Sequence, residues 1–181
     1  MPFSSLRSGP PADGGDARVA RVEALLAEHE RALVGYAARL LGGDVARARD
    51  VVQDAFLRLC RQAEIDALGR EWLFTVTRNL CVDVRRKETR MNPLEDSHDP
   101  ADDAGDASAA TLADDSREEL GQAIDRLPPR QQEALRLKFD SELSYAEIAR
   151  IMEISAGTVG WLLHTAIRSL RAGMAPEGGA R

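Results

Sequence analysis

Between Val19 and Leu40 apolar positions recur at three- and four-residue steps. Val22, Leu25, Leu26, His29, Leu33, Tyr36 and Leu40 fall along one side of a helix. Gly42, Gly43 and Asp44 close it and open the next, with Asp44 placed as N-cap. That second helix carries Val45, Val52, Ala55, Phe56 and Leu59 at helical spacing, and "QAEIDALG" (62–69) is a weaker connecting stretch. A third helix is predicted from about Arg70 to Arg90, with Trp72, Leu73, Val76, Leu80 and Val84 inward. The pattern then stops at "NPLEDSHDPADDAGDASAATLADDS", which holds no apolar period. It resumes with Leu120, Ala123, Ile124 and Leu127, a short helix ended by Pro128 and Pro129. "RQQEALRLKFDSE" forms another helix, and Ser144 with Glu147 makes a capping box for "YAEIARIM". A tight turn at 153–155 leads to Ser155, a cap for a last helix over 156–172, where Val159, Leu163, Ala166 and Leu170 recur.

No strand is required and no repeat is evident. The pattern implies an all-α chain of two small helical domains joined by a flexible acidic linker. The expected boundaries are a disordered tail at 1–17, a first domain at 18–92, the linker at 93–117, a second domain at 118–173 and a tail at 174–181. Aromatics make up only 4% of residues, so the cores must be built from Leu, Val, Ile and Ala, which again favours helices. No apolar run approaches the ~20 residues that span a bilayer. The start, "MPFSSLRSGPPADGGD", has no basic end followed by an apolar stretch, so no secretory signal is expected and a cytoplasmic protein is. Cys60 and Cys81 match no metal spacing, and both lie in apolar helical patterns, as small buried hydrophobes would.

A net charge of −6 argues against a nucleic-acid binder until its distribution is read. Residues 18–92 are net +3, residues 93–119 net −9, and residues 120–181 net +1. Two mildly basic blocks flank an acidic strap, and this asymmetry says more than the total.

The chain carries no P-loop, no Gly-x-Gly-x-x-Gly and no nucleophile elbow, so an enzyme is not expected. His29, His98 and His164 are too far apart to share a metal, and the linker aspartates lack the spacing and closing Glu of a calcium loop. No metal or other cofactor is expected. The third helix ends differently. Arg78, Arg85 and Arg86 lie on one side, with Lys87 and Arg90 close by, a stripe suited to a phosphate backbone. Trp72, Phe74 and Asn79 lie near enough to stack with or hydrogen-bond an unpaired base. The plainer reading of the stripe is a solvated helix end whose cations face the C-terminal dipole, and of Trp72 a core residue.

Three stretches together resemble the bacterial RNA polymerase sigma factors of the extracytoplasmic-function (ECF) type. "ARDVVQDAFLRLC" (48–60) is similar to the helix that docks on the polymerase beta-prime clamp. "EWLFTVTRNLCVDVRRKETR" (71–90) is similar to the helix that handles the minus-ten element. "IDRLPPRQQEALRLKFDSELSYAEIARIMEISAGTVGWLLHTAIRSLR" (124–171) resembles the minus-thirty-five domain. The resemblance covers roughly residues 22–92 and 118–173. It implies an alternative sigma factor that binds core polymerase at the beta-prime clamp and beta flap, directs initiation at promoter DNA and answers to an anti-sigma factor. Membrane insertion is not implied. Asp50, Gln53 and Asp54 would face the clamp. Trp72, Arg78, Asn79, Asp83, Arg85 and Arg86 would serve the minus-ten element, with stretch 62–70 beside the extruded base. Arg150, Thr158, Trp161, Arg168 and Arg171 would serve the minus-thirty-five element. The acidic strap would mimic a phosphate chain in channels built for polyanions, unless it is a mere solubilising tether.

The last helix departs from the family pattern. Relatives commonly place Lys or Arg where this chain has Gly160, Leu162, Thr165 and Ile167. Three readings follow. The helix docks weakly and the clamp supplies most affinity, the reading taken here; or Trp161, Leu162 and Ile167 form an apolar patch for a protein such as an anti-sigma factor; or these residues pack on the first block in a closed resting form. The alternative function is a sigma mimic that binds an anti-sigma factor without touching DNA.

Overall fold

The computed structural model describes residues 13–91 and 112–173. Among them lie seven α-helices, one 3₁₀ turn (Ile65–Ala67) and no strand. The helices are α1 (Asp13–Leu40), α2 (Val45–Cys60), α3 (Arg70–Met91), α4 (Leu112–Asp125), α5 (Pro129–Phe139), α6 (Tyr145–Met152) and α7 (Ala156–Gly173).

The junctions follow the local chemistry. Gly42 and Gly43 sit at φ of 68° and 91°, a region open chiefly to glycine. This lets the Gly43 amide turn back and donate to the Ala38 carbonyl at 2.8 Å. Asp44 Oδ1 then accepts from the Arg47 amide at 2.9 Å, capping α2. At α6 both halves of the capping box form: the Ser144 amide donates to Glu147 Oε2 at 2.8 Å, and the Glu147 amide donates to Ser144 Oγ at 3.3 Å. Glu153 takes a left-handed φ of 55° to end α6, and Ser155 Oγ accepts from the Thr158 amide at 3.0 Å to start α7. This is a helix-turn-helix.

Three expectations need correction. Helix α1 begins at Asp13, so residues 13–17 are helical rather than part of a disordered tail. A tertiary tie explains this: the Arg18 guanidinium donates to the carbonyls of Cys60, Gln62 and Ala63, satisfying the open end of α2. Helix α4 begins at Leu112, inside the stretch expected to be linker; residues 92–111 lie outside the described residues, as do 1–12 and 174–181. Cys60 is exposed, because its neighbour Leu59 takes the inward position and the next residue turns some 100° away; only Cys81 is buried.

Helices α1, α2 and α3 pack around Leu33, Ala37, Leu59, Leu73 and Phe74, none more than 1% exposed. The Tyr36 and Phe74 rings meet at 5.4 Å, tilted by 57°. Helices α5, α6 and α7 close around Leu137, Leu143, Ile148, Ile151, Val159 and Leu163. The two sets are not separate in space. Helix α3 lies on α6 and the middle of α1 reaches α5, so that buried residues of both sets form one continuous cluster.

Replacing Leu73 with Ala is expected to cost about 2–5 kcal/mol in urea unfolding. Phe139→Ala, at a side chain 62% exposed, is expected to change stability by less than about 0.5 kcal/mol.

Candidate nucleic-acid and polymerase interface

Helix α2 buries Ala48, Val51, Val52, Ala55, Phe56 and Leu59. The opposite face therefore presents Asp50, Gln53 and Asp54 to solvent, as their spacing requires. Leu57 shares that outer face, one turn beyond Gln53 and Asp54, and is 48% exposed. Sequence reading passed over it. The available signal was an apolar residue on the polar side of an amphipathic helix.

Asn79, Asp83, Arg85 and Arg86 of α3 are exposed. Val82, Arg85, Arg86, Thr89 and Arg90 line an open groove at the helix end. Glu88 does not cancel this cationic end, because Arg47 of α2 pairs with it. Arg78 is different. It is mostly buried, and its Nε donates to Glu133 Oε1 of α5 at 2.8 Å. The stripe predicted from the sequence is thus divided into a solvated end and one paired member. Phe74 is 1% exposed and belongs to the core, so it offers no platform for a base, while Trp72 is partly buried against that core. The reason lies in the helical period: Leu73, Phe74, Thr77 and Cys81 form the inward side of α3.

In the helix-turn-helix, Arg168 and Arg171 are exposed near the end of α7. Thr158 Oγ1 shares a 2.8 Å hydrogen bond with Ser155 Oγ at its start. Trp161 is 62% exposed, but Leu162 is only 5% exposed and Ile167 is partly buried. The expected three-residue apolar patch reduces to Trp161. Leu162 turns inward because it lies three residues past Val159 and four before Ala166, both fully buried. A Cβ at Gly160 would meet Tyr145 Cε2 at 3.7 Å, an ordinary contact, so this position has room for a side chain. Tyr145 is itself 45% exposed, with the Lys138 ammonium 5.7 Å over its ring. Neither Lys138 nor Tyr145 stood out in the sequence, since only the turn between α5 and α6 brings them together.

Three further residue pairs cross between the two helix sets. The Tyr36 hydroxyl donates to Glu133 Oε1 at 2.7 Å. The Arg70 guanidinium grips Glu147 through Nε at 2.9 Å and Nη2 at 3.1 Å. Arg150 pairs with Glu71 at 2.6 Å. Arg150, expected at DNA, thus has a carboxylate partner here. The Arg70 contact, with help from Ser144, draws the Glu147 carboxyl down from its usual 4.5 to about 2. Burial pushes the Cys81 thiol up to about 12, with the Glu133 charge adding to it, so this thiol is unreactive.

Among the described residues no His, Cys, Asp and Glu group is placed to hold a metal ion, and no helix is long and apolar enough to cross a membrane. His98 lies outside those residues.

The geometry is a helix-turn-helix beside a three-helix bundle that exposes Asp50, Gln53 and Asp54 on one helix and a cationic end on another. The Sigma-70 region 2 family matches residues 25–91, and the Sigma-70 region 4 family matches residues 117–170. The ECF RNA polymerase sigma factor SigL of Mycobacterium tuberculosis is 35% identical over 162 residues, covering 86% of this chain and 89% of SigL. The chain belongs to the ECF sigma factors. SigE of Mycolicibacterium smegmatis is 31% identical over 166 residues, covering 88% of this sigma factor and 64% of SigE. The fold is also that of RpoE of Bartonella quintana, solved with the anti-sigma factor NepR, at a TM-score of 0.63 and 22% identity over 93% of this chain and all of that one. CnrH, solved with the cytosolic domain of CnrY, gives a TM-score of 0.58 at 22% identity, over 87% and 89% of the two chains. As a sigma factor of this family, the protein directs RNA polymerase to promoters and initiates transcription there.

Glu147 is held below its unfolded value, so its contribution is full above pH ~4.5 and is lost as pH falls toward ~2. The groups facing this pair are Arg70 and Ser144, with Glu142 and Glu28 near Arg70. In acid titrations of stability, Glu147→Gln is expected to be less stable than the native chain near neutral pH. The gap is expected to close between pH ~4.5 and ~2.

Proposed function

We propose a division of labour among the exposed side chains. Residues 18–92 form the region 2 unit and residues 118–173 the region 4 unit. On the first, Asp50, Gln53 and Asp54, with Leu57 one turn beyond them, meet the basic surface of the polymerase beta-prime clamp. Asn79, Asp83, Arg85 and Arg86 meet the minus-ten element, with Arg90 added from the same groove. Trp72 supports that surface from the core side. On the second, Thr158 and Trp161 face base edges or a thymine methyl, and Arg168 and Arg171 face phosphates. Arg78 and Arg150 join these two sets once released from their carboxylates. The beta flap receives the region 4 unit.

The observation that carries this reading is the placement of two different exposed faces on one bundle. On α2 the carboxylates of Asp50 and Asp54 stand outward beside Gln53 and Leu57, flanked by the exposed Arg47, Arg49 and Arg58, while the end of α3 is cationic with its internal Glu88 already paired by Arg47. One body can then hold a basic protein surface and a polyanion at once. The chemistry throughout is binding, and catalysis stays with the polymerase. The protein works in the cytoplasm, where core polymerase and promoter are. An anti-sigma factor is a further partner: RpoE and CnrH, which share the fold, were each solved with another protein bound.

Run-off transcription with purified core polymerase is expected to give promoter-specific transcripts. Binding to an anti-sigma factor with no transcripts would instead support a sigma mimic. Arg85→Ala with Arg86→Ala is expected to weaken open-complex formation and to flatten the log–log salt slope of DNA binding by about 2, one per arginine. Unchanged transcription and slope would remove these residues from the DNA surface. Gly160→Lys is expected to stabilise α7 by up to ~1 kcal/mol, read by thermal unfolding, and to steepen the minus-thirty-five salt slope by about 1.

A further inference from the structure

The seam between the two helix sets carries more charge than a structural interface needs. Each set already has its own caps and buried residues. Across the seam run three arginine–carboxylate contacts: Arg78 with Glu133, Arg70 with Glu147, and Arg150 with Glu71. The last two are reciprocal. Adjacent residues of α3, one cationic and one anionic, meet an anion and a cation one turn apart on α6. Two of the three arginines, Arg78 and Arg150, are also ones that the sequence pattern and the family motifs direct toward DNA.

Thr77 Oγ1 and Gln131 Oε1 are buried without a hydrogen-bond partner, and they stand one and two residues from Arg78 and Glu133. An interface that must never open would pair such atoms, whereas one that opens hands them to water. Twenty residues separate Met91 from Leu112.

We propose that the free sigma factor is closed by this three-arginine latch, in which its own carboxylates stand where promoter phosphates would otherwise bind. A guanidinium fork accepts carboxylate and phosphate in the same bidentate manner. DNA therefore competes directly with Glu133 for Arg78 and with Glu71 for Arg150, while Arg70–Glu147 holds the seam shut beside them, and opening exchanges one anion for another. The latch holds DNA-contacting arginines away from random duplexes until a ligand outbids it. The part of this proposal that concerns DNA rests on the assignment of Arg78 and Arg150 given above.

Cys60 supplies a label site, because it is exposed while the Cys81 thiol is buried. The full chain carrying Ser169→Cys on α7 takes donor and acceptor dyes at positions 60 and 169. Energy transfer is expected to show a compact population at ~0.05 M salt that declines toward ~1 M as the pairs are screened. Glu133→Gln with Glu147→Gln is expected to move most molecules to the extended state at low salt. Arg70→Glu with Glu147→Arg, which keeps the net charge, is expected to restore more of the compact state than either single change. On a mixed-sequence duplex, followed by anisotropy, the Glu133→Gln, Glu147→Gln chain is expected to bind several-fold tighter than the native chain. A control removing the exposed carboxylates Glu23 and Glu30 is expected to gain less.

Equal transfer efficiency in native and double-Gln chains across the salt range would overturn the latch, as would equal duplex affinity in the double-Gln and control chains. Run-off transcription separates the two levels. A chain that transcribes but shows no compact population defeats the latch and keeps the sigma assignment of the DNA-facing residues. A compact chain that never transcribes defeats that assignment, and with it the claim that the latch withholds DNA contacts.

Discussion

Glu133 is nine-tenths buried, and a carboxylate taken out of water must find partners or lose its charge. It finds two, and both come from the other helix set: the Tyr36 hydroxyl of α1 and the Arg78 guanidinium of α3. This one group ties the middle of the N-terminal bundle to α5, the helix that precedes the helix-turn-helix. The tyrosine is affected in turn, since burial and the Glu133 charge raise its pKa well above the ordinary value and keep the hydroxyl protonated as a donor. Among the polar ties across the seam this pairing is the most buried, since Arg70–Glu147 and Arg150–Glu71 sit nearer solvent.

The same logic explains how a chain of net charge −6 handles a polyanion. Charge is arranged by position along the helices. Asp50 and Asp54 face outward on α2 among the exposed Arg47, Arg49 and Arg58, and the arginines of α3 cluster at its far end. Local pairing then refines the pattern. Arg47 occupies Glu88, which leaves Asp83 as the one other anion beside Arg85, Arg86 and Arg90 at that end of α3. What DNA meets is this local field and not the total, because screening confines each charge to within about 10 Å at ordinary salt.

The recognition helix looks weak when read as a string and less so in its surroundings. Leu162 is a core residue here, so the absence of a cation at that position removes no exposed contact. Trp161 projects at the start of the helix, with Tyr145 next to Gly160 and Lys138 over the tyrosine ring. An aromatic surface with one cation nearby favours apolar contact over phosphate grip. Affinity then has to come from the other contacts the polymerase makes.

The helices themselves were legible in the residue pattern, because capping and periodicity are local. Asp44, Ser144 with Glu147, and Ser155 mark helix starts through bonds spanning three residues, and each forms as written. The outward face of α2 and the solvated end of α3 were legible for the same reason. The extents of α1 and α4 were not, nor was the exposure of Cys60. The start of α1 is held by Arg18 on carbonyls more than forty residues away. The fate of Arg78 and Arg150 was also hidden. Their partners, Glu133 and Glu71, are 55 and 79 positions distant in the chain, and no periodicity reports a contact at that range. What the string of residues decided is which side of each helix is wet. Which charges then remain available was decided only when the helices packed, since a Coulomb pair depends on distance in space and not along the chain.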